Sequence, residues 1–251
     1  MLKQNIIEER TSETLLERVT KTQISFKNNI IEKFTEHDLP RDFISEEYWE
    51  DNANIPVSKI VGTQHPDYIG LTWEELLHKG KRMHINLPLA DENPGYYYSD
   101  EKKLPTMSFN RYKDLYYVSG DGNHRSAIAK FLFYFSGSTH LNGVTFYEYK
   151  VNDKGYALVE KLKDAIAQKR LSLKINTLRA AIAREDGAGW KRDHFSTTLI
   201  ITNMETNENE YFENPGDNSE GKRLSMLIDA IESRTYFSRW FSSNPFAKFI
   251  S

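Results

Sequence analysis

The sequence predicts a mixed α+β protein, and three observations carry that expectation. First, the apolar run Tyr116-Tyr117-Val118 leads through Ser119 into Gly120-Asp121-Gly122, and a long apolar segment follows, which reads as strand, turn and helix. Second, short runs rich in branched and aromatic residues recur at 55–61, 107–109 and 143–149, each bounded by turn residues, as strands require. Third, apolar residues recur at three- and four-residue steps over 1–38 and again over 150–192, the spacing of helices with one buried face.

Taken in order, residues 1–38 are predicted helical, with Leu15, Leu16, Val19, Ile24, Phe26, Ile30, Ile31 and Phe34 as the apolar stripe and Pro40 as the stop. The acidic stretch 45–54 reads as a short helix and a loop, and Ile55 to Val61 as a strand. Thr72-Trp73-Glu74-Glu75 is a helix start: the threonine caps, the carboxylates suit the positive end of the dipole, and Gly80 ends the helix. Residues 84–105, with three prolines, an Asn93-Pro94-Gly95 turn and three adjacent tyrosines, read as a long packed loop. Met107–Phe109 and Leu115–Val118 read as a hairpin. Asn123 through Phe135 is a buried helix closed around Gly137, and Gly143 to Tyr149 is a strand.

The charge balance then changes. From Lys150 to Arg192 eleven Lys and Arg face five Asp and Glu, a net of +6 in a chain whose formal net charge is −3. With apolar residues from Leu158 to Ile182 at helical steps, this segment is predicted as one or two amphipathic helices with a basic outer face. Such a face is either simply solvated or a contact surface for a phosphate backbone, with Lys161, Lys169, Arg170 and Lys174 as the candidate DNA contacts. Thr197–Thr202 and Glu210–Phe212 read as two strands, residues 220–240 as a final helix, and 239–250 as an aromatic, basic tail packed on the core.

The absence of cysteine rules out disulfides and thiolate metal sites and fits a reducing cytoplasm. No apolar stretch reaches membrane-spanning length, and Glu8, Glu9 and Arg10 stand where a secretory leader needs an apolar core, so no membrane span and a cytoplasmic location are expected. No histidine pair has zincin spacing (His78 and His84 flank Gly80), and Gly-x-Ser-x-Gly is missing. His65 and His194 read as structural histidines.

The chemistry concentrates at the Gly-Asp-Gly turn. Asn123, His124, Arg125 and Ser126 fall on the first turn of a helix, where amides are unpaired and the dipole is positive, a ready site for an anion. Glycine and aspartate there are also ordinary turn residues. Histidine and arginine, however, oppose the dipole at a helix start, and a locally unfavourable choice points to a function that offsets it.

Asp121-Gly122-Asn123-His124-Arg125-Ser126-Ala127, placed after a strand, resembles the signature of the ParB/sulfiredoxin superfamily, especially its ParB-like nuclease branch. Ile55-Pro56-Val57 resembles that family's opening strand and Val144–Val151 the strand after the motif helix, so the likeness covers about Ile55 to Val151. It implies a nucleotide, ATP or CTP, bound at the turn. Glycines 120 and 122, Asn123, Arg125 and Ser126 would hold phosphate, Asp121, His124 and Arg125 would be catalytic, and Asp121 would approach Mg²⁺. The lack of cysteine excludes the sulfiredoxin reaction, and the turn departs from the Gly-Glu-Arg-Arg of partition proteins, with no convincing helix-turn-helix behind it.

The expectation is therefore a helical extension over 1–54, a ParB/sulfiredoxin-like nucleotide-binding core over 55–151 and a basic helical and hairpin region over 152–251. Its expected function is a nucleotide-binding phosphohydrolase acting on or with DNA, a nuclease or nucleotidase, with a homodimer allowed as its assembly. A nucleotide-gated DNA-binding regulator and a kinase of a small hydroxyl substrate are the alternatives.

Overall fold

The computed structural model describes residues 13–233, a mixed α+β chain. They form two compact units, one of residues 13–35, Trp49–Glu148 and Ala188–Trp190, the other of Glu36–Tyr48, Tyr149–Gly187 and residues 191–233. No helix among the described residues is long and apolar enough to cross a membrane.

The first unit opens with helix α1 (Leu15–Lys21), started by a Thr14/Glu17 capping box. The helix predicted over 1–38 is otherwise replaced, within the described residues, by turns and a two-residue strand β1 (Glu32–Lys33). Thr22 is extended and ends α1, and the Ile31 amide pairs with the Leu71 carbonyl. Ile24, Ile31 and Phe34 are buried all the same, so their spacing serves the core without a helix.

Strand β2 (Ile44–Pro56) replaces the short helix and loop expected over 45–54. The N-terminal residues of this strand, through Tyr48, belong to the second unit, and there its carboxylates meet cations of that same unit: Glu46 lies 2.8 Å from Lys150 and 3.3 Å from Arg192, and Glu47 lies 2.8 Å from Arg179. The predicted strand 55–61 is broken by a turn of 3₁₀ helix at Val57–Lys59 before β3 (Ile60–Thr63).

Helix α2 (Trp73–Lys79) has the expected Thr72 cap in a full capping box with Glu75, and buries Trp73, Leu76 and Leu77. The long loop expected over 84–105 instead holds α3 (Met83–Glu92) and the single turn α4 (Gly95–Tyr98). Pro88 lies within α3, so proline count alone misreads the segment. Strands β4 (Ser108–Tyr112) and β5 (Leu115–Val118) form the expected hairpin, with Lys113 and Asp114 both at positive φ in its two-residue turn. Helix α5 (Asn123–Ser136) and β6 (His140–Val151) follow as predicted.

In this unit β3 pairs parallel with β1 and with β5, β5 pairs antiparallel with β4, and β4 pairs parallel with β6. The C-terminal ends of β3 and β5 therefore lie together, beside the start of α5. In open α/β sheets, ligands most often bind at the C-terminal ends of such parallel strands.

In the second unit α6 (Asp153–Lys169) is the one helix of the basic segment. Arg170 adopts a left-handed conformation that ends it, and β7 (Leu173–Gly187) follows. The helical reading fails because Leu171 precedes the strand, and Ile175 lies on one strand face while Leu178 and Ile182 lie on the other: Ile175 is half-buried, whereas Leu178 and Ile182 are exposed. Strand β8 (Trp190–Asn203) lies beside β7 and pairs antiparallel with β9 (Asn209–Glu213), as the sequence predicts. Helix α7 (Asn218–Glu232) packs on α6 over a core that includes Val159, Leu162, Leu199, Phe212, Leu224 and Ile228. The remainder of the predicted final helix and the aromatic tail lie outside the described residues.

The Thr72 cap gives a direct check on this reading. Thr72→Ala removes the side-chain acceptor for the Glu75 amide and should cost about 1 kcal/mol of stability in a chemical melt, while Thr72→Ser should cost only a fraction of that.

Candidate functional site

The turn between β5 and α5 is built by assigning its amides one by one. The Ser108 hydroxyl accepts from the amides of Gly120 at 3.1 Å and Asp121 at 3.4 Å, and the Ser108 backbone pairs with Ser119 and Asp121. The Asp121 carboxylate accepts from the Gly122 amide at 2.6 Å. Gly122 sits at φ 118°, where a side chain is strained, and it supplies no capping group of its own. The Ser126 amide closes the first helical bond onto the Gly122 carbonyl at 2.7 Å. Between these fixed points, the amides of Asn123, His124 and Arg125 meet no protein acceptor among the described residues. A capping side chain would ordinarily satisfy one of them.

The side chains the sequence assigned to phosphate divide into two groups. Asp121 and His124 remain beside the open amides. Asp121 is largely exposed, with its other oxygen 3.1 Å from the Arg125 guanidinium. His124 is half-buried. Its Nε2 lies 3.2 Å from the Tyr68 hydroxyl and 3.4 Å from the Arg82 amide. An amide only donates, so Nε2 is the acceptor, and the proton of the neutral ring sits on Nδ1. Burial, and then the positive charge of Arg82, hold His124 below its ordinary value, so the ring is neutral at pH 7. It therefore adds no second cation against the dipole, which resolves the conflict seen in the sequence. Gly80 permits this packing, since a Cβ there would come within 2.8 Å of the His124 ring.

Arg125 is placed differently from expectation. Its guanidinium donates to the Tyr96 hydroxyl at 2.7 Å, to the Pro105 carbonyl and to the Thr106 carbonyl at 3.2 Å, and it pairs with Asp121. Its side chain is only 12% exposed. The planar fork is thus spent on tying the 96–106 segment to the turn, and this is a positioning role. Asn123 is buried and accepts from the Thr63 hydroxyl at 2.6 Å, joining the end of β3 to the start of α5. The Ser126 hydroxyl is fully buried and without a hydrogen-bond partner among the described residues. The Gly120 and Gly122 amides, both assigned to phosphate by the sequence, are already taken by Ser108 and Asp121.

Thr63, Tyr68 and Arg82 complete the site, and sequence reasoning did not find them. His65, read as structural, packs against Tyr68 with ring centroids 4.6 Å apart and planes tilted by 30°. Among the described residues no three His, Asp or Glu side chains converge on a metal position. A divalent cation at the turn would have Asp121 alone from the protein, with ligand oxygens and water for the rest, which Mg²⁺ accepts.

The candidate DNA contacts lie in the second unit. Lys161 pairs with Glu232 at 3.4 Å. Lys169 and Arg170 end α6, and Lys174 is exposed on β7. Lys163 and Arg184 pair with acids of the segment itself, Glu160 and Asp186, and part of the positive excess is met by acids from outside it, as with Lys150–Glu46, Arg179–Glu47 and Lys161–Glu232.

Compared with family models, curated proteins and solved structures, the chain matches none.

Two outcomes follow from this geometry. A histidine held neutral in the fold contributes stability that is present above its ordinary value of 6.5 and lost as the pH falls, because the unfolded chain takes up the proton first. Wild-type stability should therefore drop relative to His124→Gln between pH 7.5 and pH 5.5 in paired urea melts. Arg125→Lys should cost about 2 kcal/mol, the scale of lost charge-assisted hydrogen bonds, and Tyr96→Phe about 1 kcal/mol; the same melts at pH 7.5 read both.

Proposed function

We propose that this chain binds a nucleotide through its phosphates at the first turn of α5. The observation that carries the reading is the run of three unclaimed amides, Asn123, His124 and Arg125, at the start of a 14-residue helix beside the C-terminal ends of parallel strands. The neutral His124 ring adds an Nδ1–H donor near the same place. Arg82 adds positive charge close by. The likeness of 121–127 to the ParB/sulfiredoxin signature supports a nucleotide, ATP or CTP, over other anions.

Phosphate hydrolysis, on or with DNA, is the second reading, and the exposed carboxylate of Asp121 favours it. Asp121 could hold Mg²⁺ against the phosphates or accept a proton from an attacking water. The commitment of Arg125 to protein acceptors favours binding without turnover, the role of a nucleotide-gated regulator. In either case Lys169, Arg170 and Lys174 are the residues through which the second unit would meet a DNA backbone.

The test is a panel of ATP, CTP and GTP with Mg²⁺, with and without plasmid DNA, scoring binding, phosphate release and DNA integrity. At least one nucleotide should bind, and His124→Ala should weaken it about tenfold, the equivalent of one hydrogen bond to a charged group. Asp121→Asn should leave binding in place and abolish any phosphate release. If no nucleotide binds the wild type, the proposal fails. If binding occurs without release or nicking under any condition, the hydrolytic reading fails and the regulator stands.

A further inference from the structure

Lys130 lies two turns along α5, on the chain of the candidate site but outside it. The residue is 5% exposed. Its ammonium donates to the carbonyls of Ile60 at 2.8 Å and Val57 at 3.2 Å, and sits 4.7 Å from the Trp73 ring centroid and 5.1 Å from that of Phe26. An ammonium has three donors, and here two are placed. No carboxylate among the described residues lies within ion-pair distance of it, and burial alone lowers its pKa, to about 8. It is still charged at neutral pH. A buried cation without a counter-charge is costly and is ordinarily paired.

Beside it is an open pocket of about 380 Å³, in the size range that receives small ligands. Its walls include Lys130 together with Phe26 and Val57, which the ammonium touches. Phe133 and Tyr134 extend the aromatic surface, and Ser58 and Thr139 stand at exposed positions of the wall. The combination is one spare N–H, one uncompensated positive charge and an aromatic enclosure.

We propose that this pocket binds a small monocarboxylate with a flat apolar body, its carboxylate completing the coordination of Lys130 and its body lying against Phe26, Phe133 and Tyr134. A single charge on the ligand balances a single ammonium. A phosphate dianion would leave a negative charge against apolar walls with most of its oxygens unmet. The site is independent of the α5 turn.

Benzoate tests the assignment, with benzamide and inorganic phosphate as controls, on the full chain, read by thermal shift and by the fluorescence of the tryptophans, which include Trp73. Benzoate should raise the melting temperature progressively with concentration, as a ligand of the folded state must, and should change the emission saturably. Benzamide at equal concentration should do neither, and any shift that phosphate produces at the α5 turn should survive Lys130→Met unchanged. Lys130→Met, which keeps the bulk of the chain, should abolish the benzoate response. Should that variant fail to fold, Ser58→Trp fills the pocket from an exposed position, leaves Lys130 in place, and should abolish the response in the same way. Equal effects of benzoate and benzamide, no effect of benzoate into the tens of millimolar, or an undiminished response in the folded variant would each overturn the proposal.

Discussion

Where the backbone amides of residues 120–126 find acceptors is the constraint on which the site depends. Ser108 claims two of them, the Asp121 carboxylate a third, and the Gly122 carbonyl closes the helix at Ser126. Among the described residues no side chain caps the three amides between these bonds. Gly122 at a positive φ brings no side chain to the place where serine, aspartate or asparagine would normally serve. The protein therefore holds a positive helix end open, and the surrounding residues keep it open. Thr63 fixes Asn123, Tyr68 and the Arg82 amide fix His124, and the 96–106 segment fixes Arg125.

Two cations on the same helix illustrate how charge is handled inside this unit. Arg125 has five donors in a plane, and protein carbonyls, a hydroxyl and a carboxylate absorb most of them. The result is a strut and not a recognition element. Lys130 has a compact charge and finds only two carbonyls and the faces of two rings. The first arrangement is electrically closed, while the second has no carboxylate partner among the described residues and belongs to a residue that lines a pocket.

Much of this was legible in the sequence, and the boundary is instructive. The cap at Thr72, the hairpin 108–118 and the β5–turn–α5 passage were readable because each rests on local chemistry: a hydroxyl three residues before a glutamate, two short apolar runs on either side of Arg111–Asp114, glycine before an apolar run. Strand β2 was not, because its acidic residues look solvated until Lys150, Arg179 and Arg192 arrive from distant parts of the chain. Strand β7 was missed because Ile175, Leu178 and Ile182 satisfy a helical period by accident of having apolar residues on both strand faces. At the site, the turn residues were found together, but their division of labour was not. That Arg125 faces Pro105 and Thr106 follows from a segment 20 residues away, and Tyr68 and Arg82 carry no signature that would have marked them.

The most direct measurement follows the amides themselves. In amide-resolved NMR of the ¹⁵N-labelled chain, adding ATP or CTP should shift the Asn123, His124 and Arg125 amides saturably and downfield, as new hydrogen bonds to phosphate form, while Gly120 and Asp121, held by Ser108, move little. Saturating shifts elsewhere with those three unmoved, or no shifts with any nucleotide, would contradict the claim that this helix end is built for a phosphorylated ligand.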